Sequence, residues 1–211
     1  MGTRNLQIVV QDGQVKVANY TQFDGYPGGQ GLTALAFLRD SMKIEVFKQK
    51  VEQCSWMDQA SYKAAWVTCG ADPDSDMVGM DVADKFKANY LWLSRECGAD
   101  IYNLIQASTN GLKVQNGVDF AADSLMCEWA YVVDLDKNTF EVYKGFNQTP
   151  LTPKDRFYFL SEKAHVERRG NNQYYPVKIV KSYSLLDSFI LFFLIPKMVF
   201  LIQMMHTVKY G

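Results

Sequence analysis

Histidine is nearly absent from this chain, with only His165 and His206 among 211 residues. A histidine-centred metal site or catalytic triad would have to rest on His165, which sits in the polar run SEKAHVERRG and reads as a surface-loop residue. Zinc and serine-hydrolase chemistry are therefore not expected. Cysteine is sparse too. Cys54, Cys69, Cys97 and Cys127 lie 15, 28 and 30 positions apart, with no C-x-x-C pair and none beside a histidine. That spacing fits ordinary buried thiols in a reducing compartment rather than a disulfide scaffold. An excess of charge of one sign is also missing. Against 23 acidic residues stand 22 basic ones, and no basic run exceeds Arg168-Arg169, so no electrostatic footprint for DNA or RNA is present.

The leading residues MGTRNLQIVVQDG lack the basic region, apolar stretch and small-residue cleavage site of a secretory signal, which leads us to expect a cytoplasmic protein. Gly2 starts a formal myristoylation pattern, but Leu6 stands where serine or threonine is required. Familiar cofactor motifs fail in the same way. GYPGGQG is neither a phosphate-binding G-x-x-x-x-G-K-[ST] loop nor a G-x-G-x-x-G dinucleotide fingerprint. The run from Asp72 to Asp81 imitates the first half of a calcium loop, yet has Met77 at the turn glycine and Ala83 at the bidentate glutamate. Asp134, Asp136 and Asn138 fail likewise, with Thr139 and Gly145 at those two positions. The first run reads as a solvated turn with Asp81 capping the next helix, the second as a hairpin tip, and no cofactor or metal is expected.

What is present is a well-marked succession of elements. Leu6 to Val10 and Gln14 to Ala18 are strand-like runs joined across Asp12-Gly13, a strong hairpin signal. YTQFDGYPGGQG, Tyr20 to Gly31, follows as a glycine- and aromatic-rich loop, and LTALAFLRD then takes up helical spacing that continues, after a break near Ser41-Met42, through IEVFKQKVEQC. KFKANYLWLSRECGADIYNLIQAS reads as helical with Gly98 at a boundary. CEWAYVVDL and TFEVYKGF flank Asp136-Lys137-Asn138 as a second hairpin, and Tyr174 to Leu185 supplies a further strand. The expected fold is one α+β domain over residues 1–186, an antiparallel sheet of the N-terminal hairpin and C-terminal strands with helices in the middle.

Residues 187–211 do not match that composition. From Phe189 to Met205 run 17 mostly apolar residues, interrupted by Pro196, Lys197 and Gln203. Three readings stand open: a short membrane anchor, a buried terminal helix, or an out-of-frame extension.

The candidate site is the N-terminal hairpin and its corner. A hairpin brings its ends together, so Thr3 and Arg4 on the first strand meet Tyr20, Gln22 and Asp24 at the end of the second. Thr3 offers a hydroxyl, Arg4 a cationic fork and Asp24 a carboxylate, a candidate catalytic set. Tyr20, Gln22, Tyr26, Gly28, Gly29 and Gln30 are the candidate ligand-binding residues, with backbone amides of Gly28-Gly29 placed to hold an anion. The competing structural reading is an Arg4–Asp24 ion pair pinning a tight corner.

At these residues the chain resembles a family of uncharacterised bacteriophage and prophage proteins, with relatives in fungi, whose typical form is MGTRxL followed by QYxQWDGYPxGQG. LSRECGADIYNLI and WAYVVDLDKNTFEVYKGF also match family segments, so the resemblance covers roughly residues 1–186. The chain departs from it at Asn19 and Phe23, and in its apolar tail. The resemblance implies a phage origin and no established activity. A weaker similarity is to N-terminal-nucleophile amidohydrolases, which also open with a strand, a hairpin and an aspartate near its end. Removal of Met1 would here expose Gly2, which has no nucleophile. The expected function is a phage accessory protein of the host cytoplasm that binds a small anionic or amide-bearing ligand, or a host protein as in counter-defence, at the corner. The alternatives are a hydrolase using Thr3, Arg4 and Asp24, and a membrane-active protein using the tail.

Overall fold

Asp12 and Gly13 both adopt positive φ, 54° and 68°, which matches the right-handed twist of two strands joined by a two-residue turn. They connect β1 (Asn5–Gln11) to β2 (Gln14–Thr21), closing on the Gln11–Gln14 pair. Both turn amides donate to the Asp136 carboxylate, at 2.8 and 2.9 Å, so the tip of the first hairpin is tied to the tip of the second. The computed structural model describes residues 2–75, 77–163, 165–166 and 173–185. The tail from 187 onward, and with it all three readings of that segment, lies outside the described residues.

Among the described residues, five α-helices follow the first hairpin. The chain winds from Pro27 to Ser41 without interruption, through a wide π-type turn (Pro27–Gly31), α1 (Leu32–Ala36) and a second wide stretch (Phe37–Ser41). The expected loop at Pro27–Gly31 is thus already helical, because Pro27 supplies helical φ at the first turn and the glycines allow close winding. Met42 is extended and breaks the path before α2 (Ile44–Glu52), where the sequence places the break. A short strand β3 (Ser55–Trp56), α3 (Gln59–Thr68), α4 (Met80–Asn89), α5 (Asp100–Ala107) and β4 (Lys113–Val114) come next. Asp81 does not cap α4. Gly79 is the N-cap, and Asp81 stands in the first turn, where a negative charge suits the helix dipole.

β5 (Trp129–Asp134) and β6 (Thr139–Lys144) form the second hairpin. β7 (His165–Val166) and β8 (Gln173–Tyr174) pair with each other, and β9 (Lys178–Ser184) lines β6 at the sheet edge. The main sheet runs β2-β1-β5-β6-β9. It is mixed rather than wholly antiparallel: β1 and β5 run parallel, with Asn5 opposite Trp129 and Val9 opposite Val133. A parallel pair needs a crossover, and the helical middle of the chain is that crossover.

β1 lies inside the sheet between β2 and β5, and both of its faces are covered. Leu6, Ile8 and Val10 join Ala130, Val132 and Tyr143 on one face, against Ala121 and Leu160 of two short helical turns (Val118–Ala122 and Tyr158–Lys163) and Phe157 just before the second. Val9, Val17, Tyr131, Val133 and Phe140 line the other, under Leu35, Phe47, Val51, Ile101 and Ile105 of the helices. A separate small core holds α3 to α4, where Trp66 stacks on Phe86 with ring centroids 3.7 Å apart. Among the described residues, no helix is long and apolar enough to cross a membrane.

Candidate functional site

The corner is built mainly from backbone contacts that exclude side chains. Asp24 takes a positive φ of 53°, turning the chain sharply, and its carbonyl accepts from the Gln30 amide at 2.8 Å. The Gly25 amide donates to the Thr3 carbonyl at 2.9 Å, and its own carbonyl accepts from the buried Tyr131 hydroxyl at 2.8 Å. A Cβ on Gly25 would fall 2.6 Å from the Thr3 oxygen, and one on Gly29 2.2 Å from the Asp24 oxygen, so both positions require glycine by close approach.

Several expected ligand-binding groups are spent within this corner. Gln30 sends its side-chain oxygen across 69 positions to the Ala99 amide, at 2.7 Å, and so satisfies the start of α5. Gln22 is held by Arg95 through both backbone (2.8 Å) and side chain (3.1 Å). Tyr20 packs edge-on against Phe120 at 4.9 Å. The Gly29 amide donates to the Tyr26 carbonyl, so it does not point outward for an anion. Asp24 and the Tyr26 ring remain exposed, while Gly28 is half-buried.

Thr3, Arg4 and Asp24 share this end of the sheet, but among the described residues no side-chain hydrogen bond or ion pair joins any two of them. Arg4 turns to Glu128, not Asp24. Its backbone amide donates to the Glu128 carboxylate at 3.3 Å, and the guanidinium stands 3.9 Å from the same oxygen. Register explains the choice: Asn5 pairs with Trp129, which puts the preceding residues Arg4 and Glu128 side by side. One guanidinium nitrogen meets the Met126 sulfur at 3.3 Å, a weak acceptor, and Nε is buried with no hydrogen-bond partner. Most of the donors on Arg4 are therefore unused.

The sequence reading missed what lies on the far side of Glu128 from Arg4, past the end of β6. Gly145 donates to the Glu128 carbonyl at 2.9 Å and Phe146 to the Ser124 carbonyl at 2.6 Å. Phe146 is held at φ 54° with its ring 51% exposed, next to Tyr174. A bulky residue in the left-handed region is strained, and it stays there because the flanking bonds fix it. Met126 is exposed too. No local sequence signal marks a phenylalanine for this conformation.

Two polar clusters lie on opposite faces of the sheet. On the face away from the helices, Arg156 donates to both Asp134 and Glu141, and the Tyr143 hydroxyl donates to Glu141 at 2.6 Å. Burial alone would raise both carboxyl pKa values, but bonds from the Lys137 amide and Arg156 to Asp134, and from Arg156 and Tyr143 to Glu141, hold them below their ordinary values. On the helix-side face, Asn5, Gln7, Asn19 and Thr21 are all buried. The Tyr102 hydroxyl donates to Gln7 at 2.9 Å and Gln7 to Asn5 at 2.8 Å. Cys97 lies beside Asn19, its pKa pushed up to about 12 by burial and by Asp100, against a lowering bond from Asn19. Burial likewise raises Cys54 and Cys127, so these three thiols stay protonated near neutrality and are poor nucleophiles. Among the described residues, no group of three histidine, cysteine or acidic side chains is arranged to hold a metal ion.

No family model matches the chain, and no curated protein or solved structure matches it either.

Proposed function

We propose that this chain is a phage accessory protein that acts in the host cytoplasm by binding, at the end of the sheet where Arg4, Met126 and Glu128 meet, a carboxylate, phosphate or amide group carried by a small ligand or a host protein. The observation that carries the reading is the unspent guanidinium of Arg4. Its Nε lacks a partner, a second nitrogen has only the Met126 sulfur, and its acidic neighbour stands at 3.9 Å, so an oxyanion or carbonyl has a planar donor fork to meet. The exposed Met126 adds an apolar surface beside that fork, the usual company of a polar anchor in a recognition site.

The corner supports this role from behind. Its glycines and Gln30 fix the backbone on which Thr3 and Arg4 stand, and rigid support lowers the entropy lost on binding. The hydrolase alternative gains no support from the geometry, since Thr3, Asp24 and Arg4 are not linked.

Thermal shift of the full chain against a panel of inorganic phosphate, small carboxylates and primary amides, for wild type and Arg4→Met, tests the proposal. Small molecules and proteins co-purifying from infected cells should be compared for the same two proteins. Support is a ligand or partner that wild type retains and Arg4→Met loses while melting near the wild-type temperature. A variant that keeps every ligand and partner of the wild type overturns it.

A further inference from the structure

A second site, independent of Arg4, lies under the corner. Asn5 and Thr21 are 0% and 1% exposed, and the Asn5 side-chain nitrogen and Thr21 hydroxyl have no hydrogen-bond partner. They are directly opposite in the β1–β2 register and so share one face of the sheet, where opposed Cβ atoms stand about 4.5–5.5 Å apart. Asn19, 3% exposed and two residues before Thr21 on that face, has only the Cys97 thiol beside its side-chain nitrogen. Gly25 roofs the cluster, since a Cβ there would fall 2.7 Å from the Asn5 nitrogen. Leaving such groups unpaired in the interior costs about 1–3 kcal/mol each.

Their chemistry selects the occupant. The Asn5 oxygen already accepts from Gln7, whose oxygen accepts from Tyr102, so the chain of bonds ends on an amide donor. A threonine hydroxyl and a second amide donor complete a set that fits an acceptor. An anion is disfavoured: no cationic side chain belongs to the cluster, and the Asp100 charge is felt at the neighbouring Cys97. We propose that Asn5, Thr21 and Asn19 enclose a neutral oxygen acceptor of about water size, supplied by a buried water or by the carbonyl of a small bound molecule. The two amide nitrogens donate to that oxygen and, where it is a water, the Thr21 hydroxyl accepts one of its hydrogens, which makes up the three or so hydrogen bonds of a typical buried water.

Thr21→Val gives the test a sign. If the hydroxyl holds an acceptor, its loss strands that acceptor and lowers the melting temperature by several degrees. If the cluster is dry, the same change removes an unpaired buried hydroxyl at nearly constant shape and raises it. Thr21→Ser keeps the hydroxyl and should melt nearer wild type than Thr21→Val does, which guards against a mere packing defect. Water cross-peaks to the Asn5 side-chain amide protons in the full chain identify water, whereas a mass adduct on the native protein, lost from Thr21→Val, identifies a small molecule. A raised melting temperature for Thr21→Val, with neither cross-peak nor adduct, overturns the proposal.

Discussion

The two faces of the sheet carry polar groups in opposite ways. Behind the second hairpin, the Arg156 guanidinium bridges the Asp134 and Glu141 carboxylates, Lys137 stands 3.8 Å from Asp134 and balances the second charge, and Tyr143 completes the set. Under the corner, the polar groups are uncharged and the bonds do not close, ending at Asn5, Asn19 and Thr21. A closed charged cluster serves to lock loop 145–157 against the hairpin, because its charges are matched within it. An open neutral one costs stability unless something completes it, and that is where an occupant belongs.

The largest effect should come from breaking the closed cluster. Arg156→Met removes the guanidinium shared by the buried Asp134 and Glu141, leaving Asp134 to Lys137 and backbone amides and Glu141 to Tyr143 and Thr139, and we expect a loss of about 3 kcal/mol, read by urea unfolding. A change below about 1 kcal/mol would show that the two faces do not differ in this respect.

Acid sharpens the contrast next. Because the native carboxyls of Asp134 and Glu141 titrate below their ordinary values of 3.8 and 4.5, the unfolded chain binds protons first as pH falls. Their contribution is complete above those values and is lost as pH drops through the lower native ones. Glu141→Gln should flatten the stability profile below pH 4.5, whereas Thr21→Val should leave its shape unchanged.

At the corner, Gly29→Ala forces a Cβ to within 2.2 Å of the Asp24 carbonyl, a backbone atom with little freedom to move. A loss of about 1–3 kcal/mol is expected on thermal unfolding. Gly13→Ala, where a Cβ meets nothing within 4 Å, isolates the cost of positive φ alone and should be milder. The smallest effect belongs to Arg4→Met, at most about 1 kcal/mol, since its ion pair is long and partly solvated. A larger loss would recast Arg4 as a structural residue.

What the sequence made legible was local. Asp12-Gly13 and Asp136-Lys137-Asn138 announced both hairpins, because turn chemistry is written in adjacent residues. The 3.6-residue spacing found the helix after Gly31 and the break at Met42, though not the winding of Pro27–Gly31 itself. Contacts between distant segments were hidden. Nothing near Gln30 says that it serves α5, and nothing near Arg4 names Glu128, because the first contact joins helical segments far apart in the chain and the second follows from the parallel β1–β5 register. Asn5 and Gln7 did carry a signal: they alternate onto the same face as Val9, a polar pair where a buried strand is otherwise apolar.

That parallel pairing also sets a schedule for the ribosome. β1 meets β2 as soon as the first hairpin emerges, but its other long edge has no partner until residues 129–134 are made. At about 5–20 residues per second, the apolar edge of Leu6 to Val10 waits on the order of ten seconds while the helices are synthesised. An unpaired edge of that kind is an invitation to pair with the wrong strand. Every newly made copy passes through that interval before β5 arrives to close the gap.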